Sequence, residues 1–171
     1  MKLDLHTHCF EATCIYRPTR DSVARIVAAA RARGLDGIGV TEHYNKNFGF
    51  KVREIAEEHF PGQMLIIPGE EIDKGNLHVV VLYLPGGLTF RFVAHPGYPR
   101  AGDFAAGIDA SLHGIEMHNP THDDEMDQEA IHRAAREHNL LLLQNSDAHF
   151  LSDIGKYYNE ITIEELCARA S

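Results

Sequence analysis

Short apolar runs that end in histidine or carboxylate recur along this chain, and nothing else in it constrains the fold as tightly. The runs read "LDLHTH", "GIGVTEH", "LIIPGEE", "FVAH", "GIEMHN" and "LLLLQNSDAH". The strands expected from them cover 2–6, 37–40, a segment from 65, 77–84, 90–94, 114–117 and 140–143, with a last edge segment at 157–163. Between them lie stretches with helical spacing. Val23, Ile26, Val27 and Ala30 form one apolar stripe behind a cap at Asp21 or Ser22, closed by Gly34. Val52, Ile55, Ala56 and Phe60 form a second, stopped by Pro61, and Met126, Ala130, Ile131, Ala134 and Ala135 a third that ends near Asn139. Strands alternating with helices predict a parallel α/β arrangement, and seven short buried strands could close into a small barrel. In barrels of that kind the chemistry sits at the C-terminal ends of the strands.

That is where the polar residues fall. His6 and His8 point the same way, because side chains alternate along a strand. Glu42 and His43, Glu70 and Glu71, His95, His118 and Asn119, and Asp147 and His149 follow later runs. A lone histidine at a strand end is ordinary, but the same chemistry at the same end of successive strands is a site. Imidazole and carboxylate donors without paired cysteines suit Zn, Mn or Fe and differ from a closed structural zinc site. The candidates outnumber what one ion can use, and a carboxylate such as Glu70 could bridge two. His78 begins a run instead of ending one. The turn-rich Asp73–Asn76 segment suggests a hairpin that sets Glu70 opposite His78 on one face. A register shifted by one would send His78 to the other face.

Composition narrows the reading. The chain has 171 residues, enough for a single domain over 1–171 with its own core. A net charge of −9 argues against a large nucleic-acid footprint, which needs clustered Lys and Arg. No apolar run approaches the roughly 18 residues of a membrane span. Asp4, His6 and His8 stand where a signal peptide would need an apolar stretch, so a cytoplasmic protein is expected. Three cysteines, Cys9, Cys14 and Cys167, with no CxxC spacing, do not make a disulfide framework. His59, His132 and His138 fall on expected helices and are read as solvated, and His113 and His122 are left unassigned.

The ordered set "DLHTH", "TEH", "GEE", "LHVVVL", "AHP" and "SDAH", from residue 3 to 149, resembles the PHP (polymerase and histidinol phosphatase) family. The resemblance implies a distorted (β/α)7 barrel with two or three divalent ions at its C-terminal face, and phosphoester hydrolysis. It implies His6, His8, His43, Glu70, His78, His95, Asp147 and His149 as metal ligands. Family members usually carry Asp or His five or six residues after HxH. Here the region reads "CFEATC", so the substitute is Glu11, anionic and hard, or Cys14, better spaced but suited to softer metals. Glu42 and Glu116 are read as groups that orient ligands.

The expected reaction is hydrolysis of a small molecule's phosphate monoester, with Asp147 and His149 moving protons. Arg100 in "AHPGYPR" is the expected phosphate clamp, since its planar fork matches two oxygens. Two other activities compete. One is exonuclease-like cleavage of phosphodiesters in nucleotides or short oligonucleotides. The other is C–N hydrolysis of the amidohydrolase type, which often uses a modified lysine at a strand end. Lys2, Lys46, Lys51, Lys74 and Lys156 end no expected barrel strand.

Overall fold

A computed structural model describes residues 1–98 and 104–171. The strands are β1 (Lys2–Thr7), β2 (Gly37–Val40), β3 (Leu65–Lys74), β4 (Leu77–Tyr83), β5 (Thr89–Ala94), β6 (Gly114–His118), β7 (Leu141–Gln144) and the short β8 (Asn159–Glu160). The helices are α1 (Cys9–Thr13), α2 (Arg20–Ala32), α3 (Lys46–His59), α4 (Gln128–His138) and α5 (Ile163–Arg169). All eight strands form one sheet in the order β7-β6-β5-β4-β3-β2-β1-β8. Thr19, earlier than expected, caps α2 in a reciprocal pair with Ser22. Asp127 caps α4, and Asn139 ends it in the left-handed conformation.

The α/β barrel expectation holds, but the sheet is mixed. β1, β2 and β3 run parallel, as do β5, β6 and β7, while β4 is antiparallel to both of its neighbours. The chain from β3 to β5 is therefore a meander with no crossover helix. The reversal explains why His78 opens a strand: the start of β4 lies at the same end of the barrel as the ends of its neighbours.

The core is layered around the sheet. Leu3, Leu5, Ile67, Val80, Leu82, Phe90, Phe92 and Leu143 form one buried cluster. It draws on β1, β3, β4, β5 and β7, strands far apart in the sheet order, so the sheet must curl around it. The stripe of α2 and that of α3 pack outside β2. The stripe of α4 packs against Val79, Val81, Val93 and Ile115. Gly39 allows the closest approach: a Cβ there would stand 2.5 Å from the Leu5 carbonyl oxygen.

Asn159 and Asn145 complete the closure from β7 to β1. The Asn159 Nδ2 donates to the Gln144 carbonyl (3.0 Å), Asn145 Oδ1 (2.8 Å) and the Leu3 carbonyl (3.3 Å), and its Oδ1 accepts from Gln144 N (2.9 Å). Asn145 Oδ1 also accepts from Leu5 N at 3.0 Å. Asn159→Ala would strand several of these buried groups and is expected to cost about 3 kcal/mol. Thermal melting should show a midpoint lower by roughly 6–12 °C. A shift under about 2 °C would mean that the seam holds without this amide.

Candidate metal centre

The strand ends and the loops after them converge on one buried cluster. A register shift in β1 between Asp4 and Thr7 precedes His8, and both histidines of the first motif reach the same point: His6 Nε2 lies 3.1 Å from His8 Nε2. Around them stand Glu71 from β3, His78 from β4, His95 after β5, and Asp147 and His149 after β7. His43, after β2, is brought in by backbone bonds: Tyr44 N donates to the Glu71 carbonyl (2.9 Å) and Glu71 N to the Glu42 carbonyl (3.2 Å).

Here the structure corrects the sequence reading. Glu71, not Glu70, enters the cluster. In the observed register Lys74 pairs with Leu77 and Asp73 with His78, so the turn is Gly75–Asn76 and not centred on Lys74. The shift is odd in parity. It puts Glu71 and Asp73 on the His78 side and turns Glu70 to the other face, where its Oε1 accepts from the Tyr83 hydroxyl (2.5 Å). Glu71 uses both oxygens inside. Oε2 lies 3.5 Å from His6, 3.4 Å from His8 and 3.2 Å from His43. Oε1 lies 3.1 Å from His78 and 3.0 Å from His95. Asp147 Oδ1 approaches His8 (3.0 Å) and His6 (3.4 Å).

The cluster is held from behind. Buried Glu116 Oε1 accepts from His6 Nδ1 (3.0 Å) and Asn145 Nδ2 (2.8 Å), which leaves Nε2 as the His6 nitrogen that faces its neighbours. Glu116 Oε2 accepts from His95 N at 2.8 Å. Asn119 Nδ2 reaches both Glu116 Oε2 and Asp147 Oδ2 at 3.2 Å. His95 and Asp147 sit at positive φ, +28° and +48°, a strained setting for non-glycine residues that surrounding bonds must hold. Asp4 supplies some of them: its fully buried carboxylate accepts from Ser146 N, the Ser146 hydroxyl and Gly155 N, on either side of the "DAH" turn. Burial pushes Asp4 up to about 6 despite those bonds.

Glu11 reaches His149, with Oε2 3.3 Å from Nε2, while the His149 Nδ1 donates to the Asp147 carbonyl (2.8 Å). Cys14 is exposed at the left-handed end of α1. Between the two candidates, the structure therefore brings Glu11 to the cluster. Glu42 plays a different part from the one expected: its Oε1 accepts from Phe10 N (2.8 Å) at the start of α1, the helix that carries Glu11. Burial pushes Glu42 up to about 7. Glu116 does orient a ligand, as read from the sequence. His118 lies outside the cluster, 3.4 Å from Asp123. Arg100 falls outside the described residues.

His122, unassigned from the sequence, lines the cavity above the cluster. Its Nδ1 donates to Glu125 (2.8 Å) and its Nε2 is 3.9 Å from Asp147. No periodicity could have found it, because it follows a Pro-containing loop and not a strand. The cavity has a volume of about 470 Å³. A larger one, about 760 Å³, opens at the other end of the barrel between Met1, Leu65, Tyr83 and Ile163 and holds none of these side chains.

The donor set fits divalent cations. Four trios have ligand atoms that all lie within 4.8 Å of one another: His8–His43–His149, His6–His8–Glu71, His6–His95–Asp147 and Glu71–His78–His95. Among the described residues, the buried side-chain polar atoms with no hydrogen-bond partner are His8 Nδ1, His95 Nδ1 and Asp147 Oδ1, all in this cluster. Asp147 Oδ1 is an acceptor beside the lone-pair-bearing nitrogens of the histidines, so a cation among them would satisfy it. Burial works against a charged His6, yet Asp147, Glu116 and Glu71 overcome it and raise its pKa well above the ordinary value. Burial works against charged Glu71 and Asp147 too, and the surrounding histidines hold both carboxyls well below the usual range. The centre is thus a fixed, buried field that favours positive charge.

Comparison with known proteins agrees with this architecture. Residues 126–170 match a family model described as PHP-associated, a stretch that includes Asp147 and His149. PsfC from Pseudomonas syringae is 16% identical, with a TM-score of 0.68 over 99% of this chain and 88% of that one. A candidate metal-dependent phosphoesterase from Bifidobacterium adolescentis is 15% identical, with a TM-score of 0.68 over 99% and 96%. An amidohydrolase from Chromobacterium violaceum, solved with sulfate and no metal, is 15% identical, with a TM-score of 0.61 over 100% and 98%. No curated protein sequence matches the chain. Among the described residues, no helix is long and apolar enough to cross a membrane.

Proposed function

We infer, from the premise that this chain is a PHP-type protein, that it is a metal-dependent hydrolase acting on the phosphate monoester of a small molecule. The carrying observation is the overlap of the four ligand trios, which share His6, His8, Glu71 and His95. Overlap of this kind supports two or three adjacent cations, Zn, Mn or Fe by the donor chemistry. Glu71 would hold cations with both carboxylate oxygens, because the two face different histidine sets. Such ions supply Lewis-acid polarisation of a phosphoryl group and an acidified water.

The protein's own groups do the rest. Glu116 fixes the His6 tautomer and Asn119 fixes Asp147. The His149 Nδ1 is committed to the Asp147 carbonyl, so its one available lone pair is on Nε2, 3.3 Å from Glu11 at the half-open edge, where it would move a proton when the cations are held by the other trios. Asp147 and His149 are accordingly our assignment for proton transfer.

Contrary to the sequence expectation, Lys74 does end a strand, as the last residue of β3, but it lies on the opposite face from Glu71 with its Nζ on Asp109 (2.6 Å), and the lysine contacts weigh against the amidohydrolase alternative. All five lysines are engaged elsewhere: Lys2 over Tyr158, Lys46 over Tyr83, Lys51 with Glu54, Lys74 with Asp109 and Lys156 with Asp153. The test is a panel of phosphomonoesters, phosphodiesters and cyclic amides, assayed with protein stripped by chelator and reloaded with Mn²⁺ or Zn²⁺. Phosphomonoester turnover that appears only after reloading is expected. Amide turnover without phosphate release would overturn the reading.

A further inference from the structure

Phe150 directly follows His149 and lines the cavity above the metal centre, yet it is 66% exposed. The turn that carries it is well anchored. Ile154 is fully buried and Leu151 packs against the core beside α2 and α3. Asp153 N donates to the Phe150 carbonyl (2.9 Å), and Arg33 donates to the Ser152 carbonyl at 2.9 Å. The neighbouring apolar side chains are taken into the core while Phe150 is held out at the mouth.

Tyr98 lines the same cavity, 39% exposed. Its ring stacks on His122, centroids 4.2 Å apart, and meets His95 edge-on at 5.6 Å. The floor is therefore imidazole and carboxylate, and the rim carries two preformed aromatic faces. Asp153, the acidic residue at the rim, is taken by Lys156 at 2.8 Å. A bare phosphate needs only the floor. An exposed phenyl ring on a rigid turn buries the most area, and gains the additional ring–ring attraction, against a second flat, apolar surface.

We propose that Phe150, with Tyr98, forms a subsite for a planar ring, so that the preferred substrates are phosphate esters of aryl or heteroaryl-bearing groups. The proposal rests on the phosphoesterase reading, and its test separates the two. Calorimetry on Mn²⁺-loaded protein compares phenylphosphonate with methylphosphonate, neither of which has an ester to cleave. Stacking on one aromatic side chain predicts that the phenyl compound binds about tenfold more tightly to the wild type. Phe150→Ala should bring the ratio within about threefold, Phe150→Tyr should preserve it, and Tyr98→Ala should lower it in part. A wild-type ratio below about threefold, a ratio unchanged in Phe150→Ala, or no phenylphosphonate binding would each overturn the subsite. A ring preference without hydrolysis of any phosphate ester would sink the phosphoesterase reading and leave the subsite standing. Ester hydrolysis with no ring preference would do the reverse.

Discussion

Glu71→Gln is expected to empty the centre of at least one metal and to remove nearly all activity. The substitution keeps size and shape but replaces the oxygen pair that faces His6, His8 and His43 on one side and His78 and His95 on the other. An amide has one carbonyl oxygen and one NH₂, and the NH₂ can only donate, so it cannot serve two cations. The loss should exceed the roughly 10–100-fold that follows removal of an outer hydrogen-bond partner such as Glu116. Glu70→Gln is the control. Glu70 bonds the Tyr83 hydroxyl on the opposite face, so that variant should keep its metal and lose only about 1 kcal/mol of stability. Elemental analysis and phosphate release on both variants decide the matter. Metal retained in Glu71→Gln and lost in Glu70→Gln would restore the register expected from the sequence and refute the one observed.

The contrast between Glu70 and Glu71 shows what could be read from the sequence. The strand-end rule located His6, His8, His43, His95, Asp147 and His149, because each apolar run marks its own strand and side chains leave a strand end toward the barrel mouth. It gave both glutamates of "GEE" but not which one points inward. That depends on strand pairing, and pairing depends on whether the turn is two residues or three, a difference that inverts every side chain of β4 relative to β3. The antiparallel direction of β4 was within reach, since the hairpin was expected, and it is what admits His78 to the site. Groups that act through tertiary bonds left weaker marks. Glu116 was legible as a carboxylate inside an apolar run, but Asp4, Asn145 and Asn159 look like ordinary polar residues until the ends of the sheet meet.

Removing metal should lower stability, and the loss should grow with pH. Cations held by a folded site and absent from the unfolded chain stabilise it by about 4 kcal/mol at a thousand-fold excess over Kd. For a chain of this length that is a melting shift of roughly 8–16 °C. Without cations, protons stand in for them. Burial opposes a charge on His8, but Asp147 and Glu71 overcome it and raise its pKa to about 9, and His6 is raised in the same field. A histidine with a raised folded pKa contributes stability that is fully present below its ordinary value near 6.5 and is lost as pH rises through about 9. The chelated protein should therefore weaken across that window. The loaded protein should not, because metal binding releases those same protons and so tightens as pH rises. Melting curves at pH 6.5 and pH 9, with chelator and with Mn²⁺, would show the gap in midpoint widening toward high pH. A gap that stayed constant or narrowed would mean that protons and cations do not compete for His6 and His8, and the centre would have to be rebuilt around other donors.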